Sequence, residues 1–108
     1  MIDLASQINK ALAGFTDVVE FSISRPDVTN GYVLALSLAH DDGGTLELRC
    51  FDVSSLAISN FGGGLNQFLC LRAEDVRSAQ LDRVTLHFAD LERAAIVFDC
   101  ASATVRTL

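Results

Sequence analysis

Two histidines with acidic neighbours come closest in this chain to residues whose types and spacing could do chemistry. His40 is followed by Asp41 and Asp42, and His87 and Asp99 lie on the two arms of a predicted hairpin. A histidine beside a carboxylate serves general acid–base catalysis and metal binding. Neither histidine has a second histidine at ligand spacing, and no pocket is predicted around either. We therefore interpret both as parts of a polar sheet surface.

The glycine run and the nucleophiles lack the context that chemistry needs. Gly62-Gly63-Gly64 is followed by no Lys-Ser or Lys-Thr pair, which favours a flexible connector over a phosphate-binding loop. No serine lies in a Gly-x-Ser-x-Gly motif. The cysteines are odd in number, widely spaced and embedded in apolar runs, so they predict reduced core residues: Cys50, Cys70 and Cys100. We expect no catalytic residue, no metal and no cofactor.

The acidic residues are the second feature that could carry function. The formal net charge is −6, which disfavours binding to the phosphates of nucleic acid and favours a basic protein partner. Most carboxylates fall in predicted turns, where aspartate is common for local hydrogen-bonding reasons. Together they could still steer a basic surface toward the chain. The candidate binding residues are Asp41, Asp42, His87, Asp90, Glu92 and Asp99.

An amphipathic helix is predicted over residues 3–14. Its apolar residues recur at steps of three and four, and Gly14 is a suitable end. Asp3 or Ser6 could cap its start. An isolated helix of this length is marginal in water, so we expect it to pack on a sheet through Leu4, Ile8 and Leu12.

Strands follow from Asp17 onward, where the apolar period changes to two. The first places Val19, Phe21 and Ile23 on one face and ends at Pro26.

The next two strands predict a hairpin whose register and turn agree. Pairing Leu38 with Leu46 also pairs Leu36 with Leu48 and Leu34 with Cys50, and it leaves the three-residue loop Asp41-Asp42-Gly43 with Gly43 in the left-handed position. The third strand is expected to continue through residues 53–58 past a bend or bulge.

The C-terminal part predicts a further strand, a connector and a last hairpin. Residues 67–72 are apolar on both faces, and 73–80 suggest a short helical turn or connector. In the hairpin, Phe88 is paired with Ile96, Leu86 with Phe98 and Val84 with Cys100, around a loop of residues 90–94. This register places Asp99 opposite Thr85, with His87 and Arg83 on the same outward face.

These elements predict an α+β, mainly β fold in one domain, residues 1–108. It consists of an antiparallel sheet or sandwich of about six strands built from hairpins, with the N-terminal helix packed on it. Half the residues are apolar and mean hydropathy is +0.35, which favours a homodimer in so small a domain. The first residues resemble no signal peptide and no stretch is long enough to span a membrane, so we expect a cytoplasmic protein.

Two apolar ladders carry a family resemblance. They read Leu46-x-Leu48-x-Cys50-Phe51-x-Val53-x-x-Leu56 and Val84-x-Leu86-x-Phe88-x-Asp90-x-Glu92-x-x-x-Ile96-x-Phe98-x-Cys100. Over the C-terminal two-thirds the chain resembles small uncharacterised bacterial proteins, some proposed as immunity proteins of secreted toxins. The resemblance implies no particular functional residue. We expect a non-catalytic protein-binding domain, an immunity-type inhibitor that presents an acidic surface to a basic toxin. The alternatives are a homo-oligomeric assembly module and, third, a carrier of small apolar ligands.

Overall fold

The computed structural model describes residues 4–26, 31–59, 63, 67, 71–76, 84–92 and 95–108. One helix precedes seven strands, which confirms the α+β, mainly β class. Their bounds are α1 Leu4–Leu12, β1 Phe15–Ser24, β2 Tyr32–His40, β3 Thr45–Ile58, β4 Leu71–Asp75, β5 Leu86–Asp90, β6 Ile96–Cys100 and β7 Ser102–Thr107. Among the described residues, no helix has the length and apolar character needed to cross a membrane.

The strands form a single antiparallel sheet in the order β1-β2-β3-β6-β5-β4, with β7 paired to β3. The 14-residue β3 is shared by both halves of this sheet. Its first part lies between β2 and β7, and its last part pairs with β6. Asp52 and Ser55 adopt positive φ at the change of partner. The predicted continuation of the strand past a bend is thereby confirmed.

The hairpin of β2 and β3 has the predicted register. Leu38 faces Leu46, and the same ladder continues through Leu36 and Leu34. The turn is closed by hydrogen bonds from the His40 N–H to the Gly44 carbonyl (2.8 Å) and from the Gly43 N–H to the His40 carbonyl (2.9 Å). Gly43 has a φ of +99°, as a three-residue loop of this kind requires.

The face predicted for β1 was wrong at Val19. The pairing with β2 shifts between Val18 and Glu20, so a bulge adds one residue and turns Val19 outward, where it is 63% exposed. Val18 takes its place opposite the buried Leu38. A strict period of two cannot anticipate a bulge, because the extra residue reverses the faces on one side of it.

The register predicted for the last hairpin was wrong by two residues. Phe88 faces Phe98, not Ile96, and their rings stack with centroids 4.9 Å apart. Leu86 accordingly faces Cys100. A shift of two residues keeps every side chain on its original face, so the predicted core residues are still buried.

The connector predicted over 73–80 was also wrong in its first part. Residues 73–75 belong to β4, which pairs with β5 from Leu71 opposite Asp90 to Asp75 opposite Leu86. Several predictions lie outside the described residues: the Asp3 cap, the core position of Cys70, the surface position of Arg83, and most of the strand predicted over 67–72.

Helix α1 covers the β4 side of the sheet. Ala5, Ile8 and Leu12 are buried in the core, whereas Leu4 is 41% exposed and is not the core residue that we predicted. Ser6 lies within the helix and does not cap it. Asn9 donates from Nδ2 to the Ala73 carbonyl (2.9 Å) and accepts at Oδ1 from the Ala73 N–H (2.7 Å).

Two of the cysteines lie in this core as free thiols. Cys50 and Cys100 are both buried. A hydrogen bond with Cys100, together with burial, raises the pKa of the Cys50 thiol far above its usual range. Cys50 therefore stays protonated and unreactive in the folded chain.

Replacing Gly14 by alanine should cost more stability than replacing Gly43. Both have positive φ, which costs an alanine about 1–2 kcal/mol. A Cβ at Gly14 would also clash with Nε2 of the His40 ring, whereas a Cβ at Gly43 meets no described atom within 4 Å. Urea unfolding should show Gly14→Ala losing at least about 1 kcal/mol more than Gly43→Ala. The additional substitution His40→Ala should reduce that excess, and equal losses in the two single variants would contradict the clash.

Stability should fall at alkaline pH because of Cys50. Below the usual thiol pKa of about 8.5, Cys50 is protonated in both the folded and unfolded chains. Above it, only the unfolded chain releases the proton, so the free energy of unfolding should decrease by up to about 1.4 kcal/mol per pH unit. Urea titrations between pH 7 and 10 should show a shallower decrease for Cys50→Ala. Parallel curves for the two proteins would refute this contribution.

Candidate binding surface

Polar side chains from adjacent strands form a row on the outward side of the β4–β5–β6 half. Glu74 faces His87, and His87 faces Asp99. Asp99 in turn faces Ser54 of β3. The neighbouring positions Phe88 and Phe98 point into the core, so the row must point outward. We call Arg72, Glu74, His87 and Asp99 the outer face.

His87 and Asp99 form the closest polar pair of the outer face. Their Nδ1 and Oδ1 atoms are 2.7 Å apart, and the side chains are 36% and 22% exposed, respectively. When Nδ1 carries its proton it donates to the carboxylate, which fixes the imidazole ring and directs Nε2 away from Asp99. The prediction that these two residues share a face is correct, but the corrected register makes them direct neighbours.

A shallow cavity of about 390 Å³ adjoins His87. Arg72, Glu74, Ala89 and Leu91 are among the residues that line it. Leu91 is 65% exposed, and Arg72 and Glu74 are exposed on the same strand. Within the described part of the chain, neither Arg72 nor Glu74 has an ion-pair partner closer than 4.0 Å. The cavity thus combines an apolar wall with charges that remain available to a partner.

The arrangement is less suited to catalysis or metal binding than its residue types suggest. Ser54 is opposite Asp99, not His87, so the row lacks the serine–histidine contact that activates a nucleophile. In the ranges that the structure describes, no three His, Cys, Asp or Glu side chains are grouped to hold a metal ion.

The other candidate histidine lies at the opposite end of β3. His40 Nδ1 is 2.9 Å from Asp42 Oδ1. The His40 ring packs edge-on against the Phe15 ring, with the ring centroids 5.2 Å apart. These contacts fasten the β2–β3 turn to the start of β1. At about 3.3 Å per strand residue, Ser54 is roughly 30 Å along β3 from Thr45. Asp41 and Asp42 are exposed but do not belong to the outer face.

The carboxylates of the β5–β6 turn have different environments. Asp90 is only 2% exposed; it accepts the N–H groups of Glu92 (3.3 Å) and Ala95 (3.4 Å). It holds the turn closed and does not present a charge to a partner. Glu92 is exposed next to Leu91, close to the cavity. The six candidate residues therefore do not form one surface.

Sequence reasoning did not select Arg72, Glu74 or Asn9. A signal for the first two existed, because Leu71 and Ala73 are buried while Arg72 and Glu74 are exposed, which is the period of a half-buried strand. Over only five residues, however, this alternation fits a short turn as well as it fits a strand. Asn9 carries no such signal, since nothing local indicates that its amide meets a strand edge.

Comparisons with protein-family models, with curated proteins and with solved structures find no match for this chain. The surface must therefore be interpreted from its own geometry.

Replacing Asp90 should reveal a structural role that Glu92 lacks. Asp90→Ala leaves two N–H groups of the turn without their acceptor, which should lower the free energy of unfolding by about 1–3 kcal/mol. Glu92→Ala removes an exposed carboxylate and should change it by less than about 0.5 kcal/mol. Urea unfolding of both variants provides the measurement. Equal small effects would show that the Asp90 contacts contribute little.

Proposed function

We propose that the chain is a non-catalytic protein-binding domain that uses the outer face to bind a basic partner. The observation that supports this most is the position of Glu74 and Asp99 on either side of His87, in register across three strands. A paired sheet holds these carboxylates at fixed spacing, so a partner's lysine or arginine would meet a preformed site with little ordering cost.

The surroundings of the two carboxylates favour a partner that is both basic and partly apolar. The exposed Leu91 and the half-buried Ala89 offer apolar contact for the stem of a long cationic side chain. Glu92 adds a third carboxylate nearby, and among the described residues that line the cavity Arg72 supplies the one guanidinium. The net charge of −6 over the whole chain would accelerate encounter with a basic surface. Nucleic acid is a poor partner for the same electrostatic reason.

A more specific form of the proposal is an immunity-type inhibitor that covers a basic toxin domain. It rests on the family resemblance of the two apolar ladders and on the acidic character of the surface. The reduced, buried state of Cys50 and Cys100 is compatible with a cytoplasmic location, where such an inhibitor would meet its toxin.

A homodimer is the second candidate, and the exposed β1 edge favours it. This ten-residue strand ends the sheet, and Val19 and Ile23 are 63% and 41% exposed. Its bulges and the bridge between Asp17 and Gln67 interrupt the edge, which reduces its capacity to pair. Light scattering at high protein concentration decides this alternative, since a strict monomer would exclude it.

Two double variants of equal charge test the outer face. The chain is co-expressed with each basic product of the neighbouring genes, and the affinity of any complex is measured by calorimetry at low and moderate salt. Glu74→Gln with Asp99→Asn should weaken binding at least tenfold, about 1.4 kcal/mol. Asp41→Asn with Asp42→Asn changes the net charge equally at the other end of β3 and should weaken binding less than threefold.

Two outcomes would overturn the proposal. Equal weakening by both double variants would mean that net charge alone attracts the partner. The absence of any complex at low salt would remove the basic partner altogether. For the immunity form, the wild-type chain should restore growth to cells that express the neighbouring toxin, and the Glu74/Asp99 variant should restore it less well.

A further inference from the structure

A groove of about 450 Å³ separates helix α1 from strand β7. Leu4, Ile8 and Ala11 line its helix side, and Ala103, Val105 and Thr107 line its strand side. No charged side chain is among the described residues around it, which contrasts with the acidic outer face. Its volume lies within the range of ligand sites in proteins, about 300–1,000 Å³.

The strand side of the groove is a sheet edge with free backbone groups. Among the described strands, β7 pairs with β3 alone, and the Leu108 N–H donates to the Thr45 carbonyl at 2.9 Å. In an antiparallel ladder, directly opposite residues alternate between pairs that exchange hydrogen bonds and pairs that do not. Because Leu108 bonds to Thr45, the next pair, Thr107 with Leu46, is non-bonded, and so is every second pair after it. The N–H and C=O groups of Ala103, Val105 and Thr107 therefore point away from β3. The same three residues line the groove.

The same helix satisfies a second edge of the sheet in a different way. The Val76 N–H donates to the Thr85 carbonyl, so by the same alternation the backbone groups of Ala73 point away from β5. The amide of Asn9 forms both hydrogen bonds with them. In the described part of the chain, no side chain does this for Val105.

We propose that this groove binds an uncharged, extended peptide segment of another protein, which adds to β7 as a further strand. The free N–H and C=O groups supply a row of hydrogen bonds for a peptide backbone, and alternate side chains would pack on Leu4 and Ala11. A charged side chain would lose hydration in this groove without gaining a partner. The segment is therefore one with small or branched apolar residues. The site is independent of the outer face and of the basic partner proposed for it.

The test uses the full chain and the blocked peptide Ac-Ala-Val-Thr-Val-Ala-NH2 as the probe. Before peptide is added, NMR-detected hydrogen exchange should be faster at Val105 than at Thr104 and Arg106, which bond to β3. Peptide should slow exchange at Val105 at least tenfold and shift the resonances of Ile8 and Ala11. Unchanged spectra at millimolar peptide would overturn the proposal.

Two N-methylated analogues distinguish strand addition from simple apolar binding. Methyl groups are placed on one or the other alternating set of peptide amides, so each analogue blocks one edge of the extended peptide. Strand addition predicts that one analogue binds within threefold of the parent and the other at least tenfold more weakly. Equal binding by both analogues would overturn it, as would recovery of a small apolar ligand from the purified chain by native mass spectrometry.

Substitutions on both walls complete the test. Val105→Pro removes an N–H that β3 does not use, so the fold should persist and binding should weaken at least tenfold, whereas Val105→Thr keeps the N–H and should bind within threefold. If the proline variant does not fold, Ala11→Phe fills the groove from the helix and should abolish binding. A dimer whose Val105 amide is already protected without peptide would instead assign the groove to a second copy of the chain.

Discussion

The bend of β3 is the constraint on which the rest of the structure depends. One strand of 14 residues supplies the central ladder of both halves of the sheet, and it changes partners where Asp52 and Ser55 take positive φ. Non-glycine residues in that region cost of order 1–3 kcal/mol each, a cost that surrounding contacts must offset. The bend lets Leu48 in one half and Phe98 in the other both be fully buried.

The edges of the sheet expose backbone groups that a single neighbouring strand does not pair. The edge strands differ in what lies beside them or distorts them. Asn9 hydrogen-bonds to β4, bulges distort β1, and β7 borders a groove. Natural sheets protect free edges because unpaired backbone groups recruit other strands. The α1 helix hydrogen-bonds to the β4 edge through Asn9 and is separated by a groove from β7, which leaves β7 as the edge best shaped for a peptide.

The sequence predicted those parts of the fold in which two local signals coincide. In the β2–β3 hairpin the leucine ladder and the Gly43 turn select the same register, and the structure has it. In the β5–β6 hairpin the apolar ladder permits two registers, because a shift of two residues buries the same side chains. The observed register is the one in which the Asp90 carboxylate is buried in the turn. Its environment is tertiary, so the sequence pattern alone cannot reveal it.

The register of the β5–β6 hairpin also determines which residues form the outer face. A ladder shifted by two residues would keep Phe88 and Phe98 in the core yet place Thr85, not His87, beside Asp99. Both registers thus bury the same core residues, but they bring different polar residues together on the outward side of the sheet. For this reason the six candidate residues could be named from the sequence, but which residues lie together on one face could not.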